Sequence, residues 1–133
     1  LRRLADQDTK LSPIEMYASG MRQSAEQLIQ FPDFLRLGLM LTLERRPSEP
    51  TARQRFQATR VETLARLRRY LGRVFESLGE AEIDQLAVLT LAGSDGLFIA
   101  AESEGIAIAD GFETLARAVM GAAVSFGWVR PNS

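Results

Sequence analysis

The 133-residue chain has no histidine and no cysteine. Histidine is the commonest general base and the commonest metal ligand. Its absence removes catalytic triads, metalloprotease helices and Glu-x-x-His di-iron bundles together. Without cysteine there are no disulfides, no thiolate nucleophiles and no zinc–sulfur centres. Lys10 is the only lysine. A carboxylate-only mechanism, or a serine–lysine pair built on Lys10, stays open, but the expectation is a protein that is not an enzyme and holds no cofactor or metal. An excess of basic charge is also missing. The 16 Lys+Arg and 17 Asp+Glu give a formal net charge of −1, whereas gripping nucleic acid needs a net basic surface. No signal peptide is visible in the sequence. The longest apolar stretch, 34–43, is interrupted by Arg36 and is too short to span a bilayer. A cytoplasmic chain with no membrane partner is expected. Strand signals, repeats and low-complexity tracts are lacking too.

What remains is a hydrophobic content of 46% cut by punctuation into helices, enough for one domain with a core of its own. The opening Leu1-Arg2-Arg3-Leu4 reads like the inside of a helix, with no cap before it, so something is expected to precede it. Ser12-Pro13-Ile14-Glu15 is a capping box with proline at the first helical position. The helix it starts carries the seam Ile14, Tyr17, Met21, Ala25, Leu28. Pro32 begins the next helix, 32–46, which is apolar on nearly every side, as a helix enclosed by neighbours would be. Pro47 and Pro50 bracket a loop. A long helix then runs from about 52 to 78, with the seam Leu64, Leu67, Leu71, Val74, Leu78 and a stop at Gly79. Another covers 81–102 and is closed by Gly105. Asp110-Gly111-Phe112-Glu113 is a second capping box, and starts a last helix to about 126. Counting the helical start, the pattern predicts an all-α bundle of about six helices.

The last two helices lack the broad polar side of a monomer's surface helix. On a 100° wheel the 81–102 helix puts Ile83, Leu86, Ala87, Thr90, Ser94, Leu97 and Ala101 on one face. Leu89, Gly93, Gly96 and Ala100 lie on another, and only Asp84, Asp95 and Glu102 form a charged edge. In the final helix Phe112, Leu115, Ala116, Val119, Ala123 and Phe126 are backed by Ala118, Gly121, Ala122 and Ser125. Two mid-helix glycines, each costing roughly 1 kcal/mol relative to alanine, point to close helix approach. Burial on both sides, by the chain's own core and by a second copy, is the simpler account. The alternative is that both helices sit at the centre of one compact bundle.

The run Ala87-Val88-Leu89-Thr90-Leu91-Ala92-Gly93-Ser94-Asp95-Gly96-Leu97 resembles the penultimate helix of TetR-family transcriptional regulators. The 112–124 helix resembles that family's last, and Phe31-Pro32-Asp33-Phe34-Leu35 resembles its helix-breaking proline step. The resemblance spans the whole chain, and it implies an effector-binding and dimerisation domain over 1–133. Residues 1–8 would end the connecting helix, 12–79 would be pocket helices, and 80–127 would pair with a second copy in a four-helix dimer interface. Leu89, Ala92, Gly93, Gly96, Ala100, Ala118, Gly121 and Ala122 would face that partner. Operator DNA would be contacted only through an N-terminal helix-turn-helix, which this chain does not contain.

A small-molecule effector would lie among Tyr17, Met21, Phe34, Leu37, Leu41, Phe56, Arg60, Thr90 and Ser94. At helical spacing aromatics and methionines are more often plain core. Arg60 stands on the extended apolar seam of the long helix, where an unpaired charge is costly to bury. It pairs with an internal carboxylate (Glu15 or Glu44 could reach), snorkels to solvent, or awaits an anionic effector. Thr90 and Ser94 either bond to the carbonyl four residues back or orient a ligand. Asp95 shares an edge with Asp84 and Glu102, so a solvated or interface-rim position is expected. Seven arginines fall between 53 and 73 with Glu62 the only acid, while 74–116 hold nine acids and no base. Paired faces within or between subunits explain that asymmetry better than nucleic acid or a membrane surface. A dimeric helical scaffold with no small-molecule ligand is the competing function.

Overall fold

The computed structural model describes residues 12–44 and 50–130, and there it is all-helical. Five helices follow one another: α1 (Pro13–Gln30), α2 (Pro32–Glu44), α3 (Pro50–Val74), α4 (Glu80–Glu104) and α5 (Ile108–Ser125). The expected sixth, at residues 1–8, lies outside the described residues. The Ser12 capping box closes in both directions: the Glu15 N–H donates to the Ser12 hydroxyl, and the Ser12 N–H donates to the Glu15 carboxylate, each at 3.2 Å. Gly105 ends α4 in the left-handed conformation (φ 69°), as its position predicts.

Two expected boundaries move. The long helix stops at Val74 rather than 78, because residues 75–78 form a turn that lets Gly79 cap α4. The final helix starts at Ile108, so Asp110 sits in its first turn and caps nothing. There its carboxylate still meets the positive end of the helix dipole.

α4 and α5 pack most extensively, α5 lies along α1, and α3 lies along the other side of α4. Tyr17, Leu71, Phe75, Leu86, Phe112 and Val119 are the large side chains sealed at the centre. The α4–α5 crossing is close because two glycines make room. A Cβ on Gly93 would stand 2.5 Å from Leu115, and one on Gly111 would stand 2.5 Å from Leu97. At the far end Gly127 (φ 104°) turns the chain back in a Schellman motif. The Gly127 N–H donates to the Val124 carbonyl, and the Trp128 N–H donates to the Ala123 carbonyl, both at 2.9 Å. That fold-back sets the indole edge-on to Phe75, with ring centroids 4.9 Å apart.

The acidic edge of α4 is an ion-pair rail. Asp84 meets Arg68 at 2.7 Å, Asp95 meets Arg60, and Glu102 meets Arg36 of α2 at 2.9 Å. The first two pairings fix α3 and α4 antiparallel. They also locate within the chain part of the charge complementarity expected between 53–73 and 74–116. Asp95 therefore corrects an expectation: it points inward across α3, with its side chain only 19% exposed.

α2 is the lightly held element. It rests on α1 and α3 through Leu35, Gly38 and Leu41, while Phe34, Leu37, Met40 and Leu43 are each at least half exposed. The expectation of a helix enclosed on all sides does not hold among the described residues. A helix with apolar residues all round can be buried on only as many faces as it has neighbours. α4 carries a second surprise. By length and composition it is apolar enough to cross a bilayer, a property hidden from a search for uninterrupted apolar runs by Asp84, Asp95 and Glu102.

Candidate functional site

Between α1, α2, α3 and α4 lies an apolar cleft of about 470 Å³, within the usual size of small-molecule sites. α1 supplies Met21, Ser24, Gln27 and Leu28, and the α1–α2 step supplies Phe31. α2 gives Phe34 and Leu35, and α3 gives Phe56, Thr59, Arg60, Thr63 and Leu67. α4 closes the far wall with Thr90, Leu91, Ser94 and Asp95, and Phe112 of α5 lies at the base. Each helix presents one stripe because residues three and four apart share a face.

Gly38 sets how close the walls stand. The Phe56 ring occupies the place of its missing side chain, 2.0 Å from where a Cβ would be. Phe34 packs against the same ring with centroids 5.7 Å apart. The Arg60 guanidinium lies 5.5 Å from the Phe56 ring centroid, a cation–π contact that fixes its direction. From there it grips Asp95 with both ends. Nη1 donates to Oδ1 at 2.8 Å and Nη2 donates to Oδ2. Arg60 thus pairs with an internal carboxylate, though the partner is neither Glu15 nor Glu44. Glu15 is committed to the α1 cap.

Six of the nine expected ligand residues line this cleft: Met21, Phe34, Phe56, Arg60, Thr90 and Ser94. The other three do not. Tyr17 is 1% exposed and stands behind the wall, its hydroxyl 3.5 Å from that of Thr90. Burial pushes its phenol up to about 12, against the Thr90 hydrogen bond, which lowers it. Leu41 is buried away from the cleft, and Leu37 is half exposed beyond it. Both hydroxyls follow the local reading. Thr90 donates to the Leu86 carbonyl at 2.8 Å, and Ser94 donates to the Thr90 carbonyl at 2.7 Å. Thr90 is 3% exposed, so it serves mainly as a support for Tyr17, while Ser94 stays open to the cleft. Sequence reasoning missed Ser24, Gln27, Leu28, Phe31, Leu35, Thr59, Thr63, Leu67, Leu91, Asp95 and Phe112 as lining residues. Leu28, Leu67 and Phe112 already stood in the helical seams, and the four-residue spacing of Leu91 and Asp95 puts them on one face of the helix.

On its outer side α4 exposes an uncharged apolar strip. Val88 is 52% exposed, Leu89 39% and Ile99 47%, and Ala92 and Gly96 lie between them. Ala118 and Gly121 of α5 are exposed as well, and Ala100 and Ala122 are partly so. Nothing lies within 4 Å of a Cβ built on Gly96 or Gly121. Gly93 differs from these, because Leu115 of the same chain accounts for it.

No family model, curated protein or solved structure matches this chain. Among the described residues no group of three carboxylates is placed to hold a metal ion.

Proposed function

We propose that this chain is the effector-sensing and homodimerisation domain of a TetR-type transcriptional regulator, a bacterial, cytoplasmic repressor released by a small, largely apolar ligand. The reading is carried by the double use of α4. One face of the helix, through Leu91, Ser94 and Asp95, walls the cleft. The opposite face, through Leu89, Ala92 and Gly96, is the exposed apolar strip suited to a second copy. Ligand bound at the inner face changes how α4 sits against α3, and the paired helices of the dimer pass that change on. Operator DNA would respond through helix-turn-helix domains outside this chain, whose spacing must match the half-sites. Membrane and catalytic roles form no part of this reading.

A dimeric scaffold with no ligand is the second reading. It is favoured by the way Thr90 and Ser94 satisfy themselves on their own backbone. Thermal shift across a panel of apolar metabolites, with light scattering for mass, separates the two. The sensing domain is a dimer that gains several degrees with particular ligands, and the scaffold is a dimer indifferent to all of them. A monomer at micromolar concentration contradicts both.

A further inference from the structure

We propose that the cleft selects an uncharged amphiphile, and that the Arg60–Asp95 pair acts as its charge filter while reading a hydroxyl or primary amide head group. The inference rests on the cleft being a ligand site, and deepens that reading.

Arg60 and Asp95 are the two charged side chains of the lining. Their bidentate contact leaves the site with no net charge. At 25% and 19% side-chain exposure, neither is bathed in solvent that would screen a third charge. A carboxylate ligand must draw Arg60 from Asp95 and leave Asp95 beside a second anion. An ammonium ligand must take Asp95 and leave Arg60 beside a second cation. Each exchange strands a part-buried charge, which is the costly outcome for such pairs.

The neighbouring hydroxyls say what the head group must offer. Ser94 donates its proton to the Thr90 carbonyl, Thr63 to Thr59 at 2.8 Å, and Ser24 to Gly20 at 3.0 Å. With their hydrogens taken up, these groups turn lone pairs, not protons, toward a ligand. Donors come from Arg60, whose planar guanidinium has five N–H and uses two on Asp95, and from the Gln27 amide and the Thr59 hydroxyl, which also line the cleft. A matching head both donates and accepts while staying neutral, as an alcohol or a primary amide does. The remainder of the ligand meets Phe31, Phe34, Phe56 and Leu67, so its body is apolar.

The test uses four ligands with one body: octan-1-ol, octanamide, octanoate and octylammonium, titrated calorimetrically into the full chain at pH 7. The alcohol and the amide are expected to bind at least ten-fold tighter than either ion. Removing one charge of the pair then re-aims the filter. In Asp95→Asn, octanoate gains at least ten-fold relative to octan-1-ol, and in Arg60→Gln, octylammonium does. A merely greasy cleft leaves both ratios where they were. Because each ratio is taken within one protein, partial unfolding of a variant cancels. An ion that equals the alcohol in the wild type, or either ratio unchanged in its variant, overturns the filter while the ligand site stands. If none of the four binds, the ligand-site reading falls and the filter falls with it.

Discussion

Substituting alanine for Gly38 should destabilise the protein, although alanine is the better helix former by about 1 kcal/mol. The reason is Phe56. Two of its ring carbons lie 2.0 and 2.1 Å from the position a Cβ would take. An ordinary carbon–carbon contact is roughly 3.5 to 4 Å, so α2 must lift from α3 by more than about 1 Å or the ring must leave its rotamer. Phe56 is only 5% exposed, and Phe34 packs on it, so the ring has little room to swing. Overpacking of this kind costs typically about 1 to 3 kcal/mol, which outweighs or cancels the propensity gain. Gly72 in α3 is the control, with nothing within 4 Å of the place its Cβ would take. Gly72→Ala should gain about 0.5 to 1 kcal/mol, or roughly 2 to 5 °C in Tm for a chain of this size. Thermal and urea unfolding of both variants at one protein concentration gives the comparison. Gly38→Ala unfolding above the wild type by as much as Gly72→Ala would refute the packing argument.

Breaking the Arg60–Asp95 pair from either side should cost about 1 to 3 kcal/mol, since the survivor is left part-buried and unpaired. A double-mutant cycle of Arg60→Ala and Asp95→Ala should recover much of that loss, and additive single effects would show the two side chains uncoupled. Tyr17, with its phenol raised by burial to about 12, holds its proton more tightly folded than unfolded. Its contribution is complete below pH 10 and is lost as the pH climbs from 10 toward 12, a fall of about 2 to 3 kcal/mol. Tyr17→Phe should flatten the stability profile over that window, and an unchanged slope would show that another group titrates there. Ala92→Arg, on the exposed strip of α4, should turn a dimer into a monomer by light scattering with its helical circular dichroism intact. A dimer that persists would move the interface elsewhere.

Much of this architecture was legible because local chemistry decides it. The Ser12 capping box, the proline at 32 and Gly105 punctuate helices whatever the rest of the chain does, and the seam of Tyr17, Met21 and Ala25 follows from helical periodicity alone. The failures share a cause, which is tertiary context. A wheel gives the angle of Asp95 but not what stands opposite. The same edge that looked solvated holds three arginine partners. Leu37 and Leu41 carry the same chemistry as Leu35 yet face away from the cleft, because the crossing of α2 is dictated by Gly38 on Phe56. Gly93 shows the converse. A mid-helix glycine announces close approach, and Leu115 rather than a second copy makes it. Asp110 has the right spacing for a cap but lies within the first turn of the helix, which begins at Ile108.

Native mass spectrometry of the chain, mixed with a panel of neutral, mainly apolar metabolites, tests the central claim most directly because one spectrum reports mass and occupancy together. The account predicts a dimer that retains one small molecule per chain, and loses it when Leu67→Trp fills the cleft while the dimer persists. A monomer that carries nothing, or a dimer whose bound species is unaffected by Leu67→Trp, would contradict it.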